Sequence, residues 1–247
     1  PVWLEITPLS FNVGIRAGLS LIQGRFKHEA MRSLSRDELI DLHRREGIAF
    51  DQQGSPLEYN KLDIRGDGLF FFHIDLKREI VGFRARKHVL DHRHIDLTRK
   101  EVYDPADFWE PIYRPAGGEL VLEKEDFFLL ATQERIRIPS SCCAQMLPEN
   151  ESNGEMRAHY AGFFDPQFGG DNGTTGVLEV RARDVAPRIV HGQPVCAMQF
   201  EPLLELPDKV YGGDAGSNYI GSGPSISKHF SNRYEAWTKA YWKDVID

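Results

Sequence analysis

Two glutamates occupy the same position in a short pattern that the sequence contains twice. Glu5 lies in Trp3-Leu4-Glu5-Ile6, and Glu179 lies in Val177-Leu178-Glu179-Val180. The residues that follow also match, with Ile15, Gly18 and Phe26 recurring as Ile189, Gly192 and Phe200. Both copies keep an acidic residue between two apolar neighbours that favour strands. The repeat therefore predicts a duplicated strand that carries a site.

Polar residues on both sides of Glu179 extend this candidate site. Upstream, a strand at His159-Tyr160-Ala161 leads into an Asp165-Pro166 turn, which predicts that Asp165 lies on structure next to Glu179. Downstream, residues 218–228 have few apolar side chains and many glycines and hydroxyls. This composition predicts a flap over a ligand, in which glycine N–H groups and a lysine meet phosphates. The flap residues of interest are Tyr219, Gly221, Ser222, Gly223 and Lys228.

A second candidate site in the sequence is a cluster of histidines that could bind a metal ion. His88, His92 and His94 lie close together and include a His-x-His pair, which on a strand would face one side. No cysteine or carboxylate pattern accompanies them, and structural or catalytic zinc needs three or four such ligands. We therefore predict no metal that is bound by the protein itself.

Composition excludes several classes of function. The net charge of −7 argues against general nucleic-acid binding, which depends on neutralising phosphates. We interpret the basic stretch from Lys77 to Lys100 as a solvated face. No apolar run approaches the roughly 20 residues that a membrane helix needs, and no signal-peptide pattern is present. Adjacent Cys142 and Cys143 with a lone Cys196 form neither a disulfide framework nor a zinc pattern, which favours a reducing cytoplasm.

The elements that must position these residues are mostly short strands between glycine and proline turns. Strands are predicted at Val2–Ile6, Phe11–Ile15, Leu19–Phe26, Leu69–Leu76, Glu79–Arg84, Glu119–Glu123, Phe127–Thr132 and Glu134–Ile138, and as a pair within Pro187–Phe200. A capping box of Ser35 with Glu38 begins a helix that Gly47 ends. Tyr234 and Trp237 begin a helical stripe that predicts a C-terminal helix. Many short strands without alternating βα units favour a barrel or a double-sheet jelly roll.

The order of the motifs around Glu179 resembles the dCTP deaminase branch of the dUTPase superfamily. The motifs are Ala161 to Gly169, Gly176 to Glu179, Gly192 to Leu203 and Tyr219 to Pro224, and the upstream run from Glu119 to Pro139 is also similar. The likeness covers roughly residues 70–230, and the repeat suggests the bacterial subgroup in which two such units are fused. We then expect residues 1–48 to be the end of a first unit plus a helix, 49–68 a connector, and 69–247 a complete second unit. On this view Pro1 is not a natural N-terminus.

The resemblance implies a mainly β fold of distorted jelly-roll, dUTPase-like barrel units, two per chain with the first incomplete, plus a few short helices. It implies a homo-oligomer, either a trimer or an assembly built from trimers, with active sites at subunit boundaries, no zinc, and dCTP bound with Mg²⁺. The general base for attack of water on C4 of cytosine would be Glu179 and, through the repeat, Glu5. Ala161 would hold the water or the amine through its carbonyl, and Asp165 would lie near the deoxyribose. His159 and Tyr160 would line the site, while Tyr219 to Lys228 would close over the sugar and triphosphate.

Two departures from the family pattern leave alternatives open. The Ser-Ser-x-x-Arg run that the family carries before the His-Tyr-Ala strand is replaced by the acidic stretch Pro148 to Glu155, and Ser222 stands where the flap usually has glutamine. Glu5 of the first unit could then be the working base, with the flap supplied by the second unit. The other hypotheses are a dUTP pyrophosphatase of the same fold that uses Asp165, and a non-catalytic nucleotide sensor or trimer scaffold.

Overall fold

The chain is mainly β in the computed structural model, which describes residues 3–28, 31–87, 94–148, 156–158, 162–182, 185–208, 211 and 226–231. The strands are β1 Val13–Gly14, β2 Ala49–Phe50, β3 Ile64–Arg65, β4 Leu69–His73, β5 Ile80–Ala85, β6 Ile95–Asp96, β7 Trp109–Tyr113, β8 Glu119–Val121, β9 Phe127–Ile136, β10 Cys142–Pro148, β11 Met156–Ala158, β12 Gly162–Phe164, β13 Thr174–Ala182, β14 Arg188–Val190 and β15 Pro194–Pro202. Within the described ranges there is one α-helix, α1 (Arg36–Glu46), with 3₁₀ turns at Tyr59–Lys61 and Pro105–Asp107. This composition confirms the predicted mainly β class. No helix of the described ranges is long and apolar enough to cross a membrane.

Helix α1 forms where the capping box predicts it. The Ser35 hydroxyl accepts a hydrogen bond from the Glu38 backbone N–H at 3.4 Å, and the Glu38 carboxylate accepts one from the Ser35 backbone N–H at 2.8 Å. Gly47 ends the helix with a φ of +70°, a conformation that glycine adopts readily. The buried side chains of Leu39 and Leu42 pack the helix onto the β structure.

Two main sheets carry most of the fold. One has five strands in the order β12-β10-β15-β4-β3, and the other has the path β11-β13-β9-β5-β7 with β2 paired to β9. All described pairings within these two sheets are antiparallel. Two small two-stranded sheets, β1-β6 and β14-β8, lie beside them.

The inner core joins the two sheets to helix α1. Alternate residues of β9 and β13, such as Leu130 and Leu178, are fully buried in this core, as are Phe72 and Phe200 from the five-stranded sheet. Since successive side chains of a strand point to opposite faces, the neighbours of these residues lie on the outer face of the six-stranded sheet.

A second apolar cluster covers that outer face. We call it the outer cluster; it contains Phe11, Phe83, Ala85, Ile95, Phe108, Trp109, Phe127, Leu129 and Phe230. Phe11 comes from the N-terminal segment and Phe230 from the last described segment, and both are more than nine-tenths buried. The outer face is therefore covered by residues from both ends of the described chain.

The strands predicted at the N-terminus are largely wrong. Residues 3–6 and 19–26 have no regular structure, and the prediction at Phe11–Ile15 is reduced to the two residues of β1. Apolar, β-branched composition suggested strands, but these segments run along the surface, where Trp3 and Phe26 are exposed. A strand needs a neighbouring backbone for its hydrogen bonds, and the described part of the segment finds one only at β6.

The boundaries predicted at residues 48 and 68 fall within packed structure. Helix α1 is part of the inner core, β2 pairs with β9, and β3 pairs with β4. The range expected to be a connector thus supplies one strand to each main sheet. The division into a partial first unit at 1–48, a connector at 49–68 and a second unit at 69–247 stays a prediction. The predicted C-terminal helix lies outside the described residues.

Candidate active site

A cavity of about 540 Å³ opens between the outer cluster and the ends of β12 and β13. Its volume is in the range of sites for small ligands, which usually combine apolar walls with a few polar groups. The polar lining residues are Ser10, Gln23, Asp165, Thr174, Thr175, Glu179, Tyr211, Ser227 and His229, and the apolar ones include Phe11, Trp109, Leu129, Phe163 and Phe230.

Glu179 contributes an ionisable side chain to this cavity from the middle of β13. It lies opposite Leu129 of β9, between the fully buried Leu178 and Val180, whose side chains point to the inner core. The alternation of the strand therefore turns the Glu179 carboxyl to the outer face. Burial raises the pKa of the Glu179 carboxyl above its ordinary value. No other described residue forms an ion pair or a hydrogen bond with this carboxyl.

A β-bulge fixes which side chains of β13 reach the cavity. The pairing of β13 with β9 shifts register between Thr175 and Val177. The buried Thr132 hydroxyl accepts a hydrogen bond from the Gly176 N–H at 2.9 Å and donates one to the Glu134 carbonyl at 2.7 Å. Because a shift of one residue exchanges the two faces of a strand, this bulge determines that Val177 and the residues in step with it face outward.

Asp165 supplies the second carboxylate of the cavity. It follows β12 directly and lines the same cavity as Glu179, as the sequence predicts. Its Oδ1 accepts a hydrogen bond from Nε2 of Gln23 at 3.0 Å. Sequence reasoning missed Gln23, because nothing local in the N-terminal segment indicates contact with a turn more than a hundred residues away.

Residues 23–27, which we call the strap, hold Gln23 in place. Arg25 and Lys27 both pair with the buried Glu201 of β15, at 2.8 and 2.6 Å. The Arg25 guanidinium also lies over the ring of Phe163, 4.7 Å from its centroid, and Phe163 lines the cavity. The strap therefore forms part of the cavity wall through charge-assisted and cation–π contacts.

Residues 226–231, which we call the C-terminal segment, form another part of the wall. Ser227, His229 and Phe230 line the cavity, whereas Lys228 is exposed and does not line it. Lys228 was predicted to meet phosphates, and that role stays a prediction. Phe230 anchors the segment in the outer cluster, with its ring centroid 5.4 Å from that of Phe108.

The remaining predicted residues fall in two groups. Glu5 is exposed in the N-terminal segment and does not line the cavity. His159, Tyr160, Ala161, Tyr219, Gly221, Ser222 and Gly223 lie outside the described residues, as do His88 and His92. The described residues contain no group of three or more His, Cys, Asp or Glu side chains that could hold a metal ion.

Sequence reasoning missed Phe11, Trp109 and His229, which only the folded chain brings to the cavity.

Two antiparallel sheets with a carboxyl in a small-molecule cavity are typical of a β-sheet enzyme. Comparison with known proteins identifies the family. Residues 35–230 match the family model of the 2′-deoxycytidine 5′-triphosphate deaminase (DCD) C-terminal domain. A dCTP deaminase from Haloarcula marismortui is 33% identical over 166 residues, which cover 63% of this chain and 81% of that protein. A dCTP deaminase from Methanobrevibacter smithii, described as dUMP-forming, is 27% identical over 118 residues, 47% of this chain and 59% of that protein.

A solved structure agrees with this result. The crystal structure of 2′-deoxycytidine 5′-triphosphate deaminase from Agrobacterium tumefaciens superposes with a TM-score of 0.59 at 32% identity, over 72% of this chain and 50% of that one. The chain thus spans half the length of the Agrobacterium protein. This chain belongs to the dCTP deaminase family.

Proposed function

We propose that this chain hydrolyses the exocyclic amine of cytosine in dCTP, taken up as its magnesium complex, to give dUTP and ammonia. The observation that carries the proposal is the Glu179 carboxyl. It is partly buried in a cavity of about 540 Å³, burial raises its pKa, and it lies within the range that matches the deaminase family. Perturbed carboxyls in clefts are the groups that enzymes use for proton transfer.

In the proposed reaction the Glu179 carboxylate takes a proton from a water molecule. The water oxygen forms a bond to C4 of the cytosine ring, and Glu179 passes the proton that it took to N3 of the ring. The new C4 hydroxyl then gives its proton to Glu179, which delivers it to the exocyclic amine as the C4–N4 bond breaks, so that ammonia leaves and C4 becomes a carbonyl. The raised pKa favours this role because a general base works best when its pKa lies close to the working pH.

Glu179 is a better candidate for the base than Glu5. The family match covers residues 35–230 and so includes Glu179 but not Glu5. Glu179 lines the cavity on a strand, whereas Glu5 lies exposed in a segment without regular structure. A base must reach the proton that it removes, so the position of Glu179 supports it over Glu5 as the base.

Replacing each glutamate tests the proposal directly. The full chain is incubated with dCTP and magnesium, and ammonia and dUTP are quantified. We expect Glu179→Gln to lose about 10²–10⁴-fold in kcat, the usual contribution of a positioned general base. Glu5→Gln is the matched control and should retain its rate. Loss of activity in Glu5→Gln alone would assign the reaction to the other copy of the repeat.

A second candidate reaction adds release of pyrophosphate, with dUMP as product. Asp165 supports it, because its carboxylate lies in the same cavity as Glu179 and could orient a second water. The Methanobrevibacter smithii relative is described as dUMP-forming. Pyrophosphate and dUMP among the products would establish this candidate. Binding of dCTP without any product would instead select the non-catalytic sensor or scaffold.

The proposal includes a homotrimer in the cytoplasm. Large apolar side chains on the surface support association, notably Trp3, Ile22 and Phe26 in the N-terminal segment and Leu204 and Leu206 after β15. Exposed apolar surface of this kind often marks an interface between proteins.

A further inference from the structure

His229 is a buried ring whose orientation is fixed by the backbone. The residue is 9% exposed and lines the cavity that contains Glu179. Its Nδ1 lies 2.7 Å from the carbonyl oxygen of Arg99. Nothing in the reaction derived above uses this ring.

The bond to Arg99 defines what the other ring nitrogen offers. A carbonyl oxygen only accepts hydrogen bonds, so Nδ1 must carry the proton that is shared with it. In the uncharged ring Nε2 then presents a lone pair and acts as an acceptor. The described residues provide no hydrogen-bond partner for Nε2. The ring therefore offers the cavity an acceptor that a ligand can use.

The backbone around His229 is held by neighbouring structure. The His229 carbonyl accepts hydrogen bonds from the N–H groups of Val102 and Tyr103 at 3.1 and 3.2 Å, and the Ser231 N–H donates to the Tyr103 carbonyl at 2.8 Å. Phe230, the next residue, is 3% exposed in the outer cluster. Both the position and the rotation of the ring are thus set before a ligand arrives, which reduces the entropic cost of binding.

We infer that Nε2 of His229 accepts a hydrogen bond from a donor group of the bound nucleotide and so determines its specificity. This inference rests on the proposed function. Two groups of dCTP are donors of the required kind: the exocyclic amine of cytosine and the 3′-hydroxyl of deoxyribose. A nucleotide that lacks the contacted donor binds less tightly, because the acceptor loses its partner in a buried position.

Binding measurements on a pair of variants test this role. His229→Asn places an amide nitrogen near the position of Nδ1, so it keeps the bond to Arg99 and removes Nε2. His229→Gln places a polar group near Nε2 and gives up the bond to Arg99. Dissociation constants for dCTP, dUTP and 2′,3′-dideoxy-CTP are measured by calorimetry on the full chain in the Glu179→Gln background, where turnover is suppressed.

One of the two affinity ratios should depend on Nε2. We expect either the preference for dCTP over dUTP or that for dCTP over 2′,3′-dideoxy-CTP to fall about tenfold in His229→Asn and to persist in His229→Gln. The first result identifies the amine as the contacted group, and the second identifies the hydroxyl.

Failure of this inference differs from failure of the proposed function. Equal ratios in the parent and in His229→Asn would overturn the inference and leave His229 as an anchor of the C-terminal segment. A wild-type chain that releases no ammonia from dCTP would contradict the proposed function itself.

Discussion

At the scale of single residues, Glu179 differs from the other buried acids of the described chain. Glu201 pairs with Arg25, and Glu134 accepts a hydrogen bond from the His73 ring at 2.6 Å. Each of these carboxylates therefore has a partner that offsets the cost of its burial. Glu179 is partly buried and has no compensating charge among the residues that the structure describes, and burial alone disfavours ionisation. Such an arrangement costs stability, and we interpret it as a proton-transfer group rather than a structural ion pair.

The raised pKa of Glu179 predicts the shape of the pH–rate profile. A general base works only when deprotonated, so kcat/KM should fall as the pH drops through the pKa of this carboxyl. Because burial raises that pKa, the acidic limb should lie above the ordinary glutamate value of about 4.3. Deamination assays from about pH 4 to pH 9, with folding checked at each pH, measure the limb. A limb at or below the ordinary value would contradict the assignment of Glu179 as base.

At the scale of elements, the bulge in β13 links packing to chemistry. The Thr132 side chain is fully buried, and its hydroxyl bonds the Gly176 N–H and the Glu134 carbonyl. Glu179 lies three residues after Gly176 on β13. Small displacements of a catalytic group can cost large factors in rate, so we propose that the hydroxyl of Thr132 positions Glu179.

Replacing Thr132 separates its effect on stability from its effect on the rate of catalysis. Thr132→Val keeps the shape but leaves the Gly176 N–H without its partner in a buried position, which should lower the free energy of unfolding by about 1–3 kcal/mol. We also expect kcat to fall roughly tenfold because Glu179 moves. Thr132→Ser keeps both hydrogen bonds and should retain kcat. Urea unfolding and steady-state kinetics report the two quantities, and equal kcat values for the two variants would exclude a positioning role.

The elements that the sequence predicts well are those with local determinants. The capping box of Ser35 and the stop at Gly47 define α1, and the turn at His191 and Gly192 separates β14 from β15. The segment 19–26 was predicted as a strand and is not, because strand formation depends on a partner that the local sequence cannot specify. The cavity residues also divide into those with local sequence signals and those that depend on long-range contacts. Glu179 and Asp165 lie in recognisable motifs, whereas Gln23 and His229 reach the cavity only through long-range contacts.

At the scale of the whole molecule, the outer cluster joins the two ends of the described chain. Phe11 packs edge-to-face on Phe108 and Trp109, with ring centroids 5.2 and 5.0 Å apart, and lies 6.4 Å from Phe230. The same cluster forms an apolar wall of the cavity. The C-terminal segment, which includes His229, is therefore held in place partly by a residue from the other end of the chain.

Removing the Phe11 ring should loosen the C-terminal segment. Phe11→Ala deletes a ring that is 7% exposed, and we expect a loss of about 3 kcal/mol in the free energy of unfolding. Phe26→Ala is the matched control, because Phe26 belongs to the same segment and is fully exposed. Hydrogen exchange at the Ser231 amide, which bonds to the Tyr103 carbonyl, should accelerate only in Phe11→Ala. Equal exchange at Ser231 in the two variants would mean that the C-terminal segment is held without the N-terminal one, by residues 99–103 and by the rest of the outer cluster.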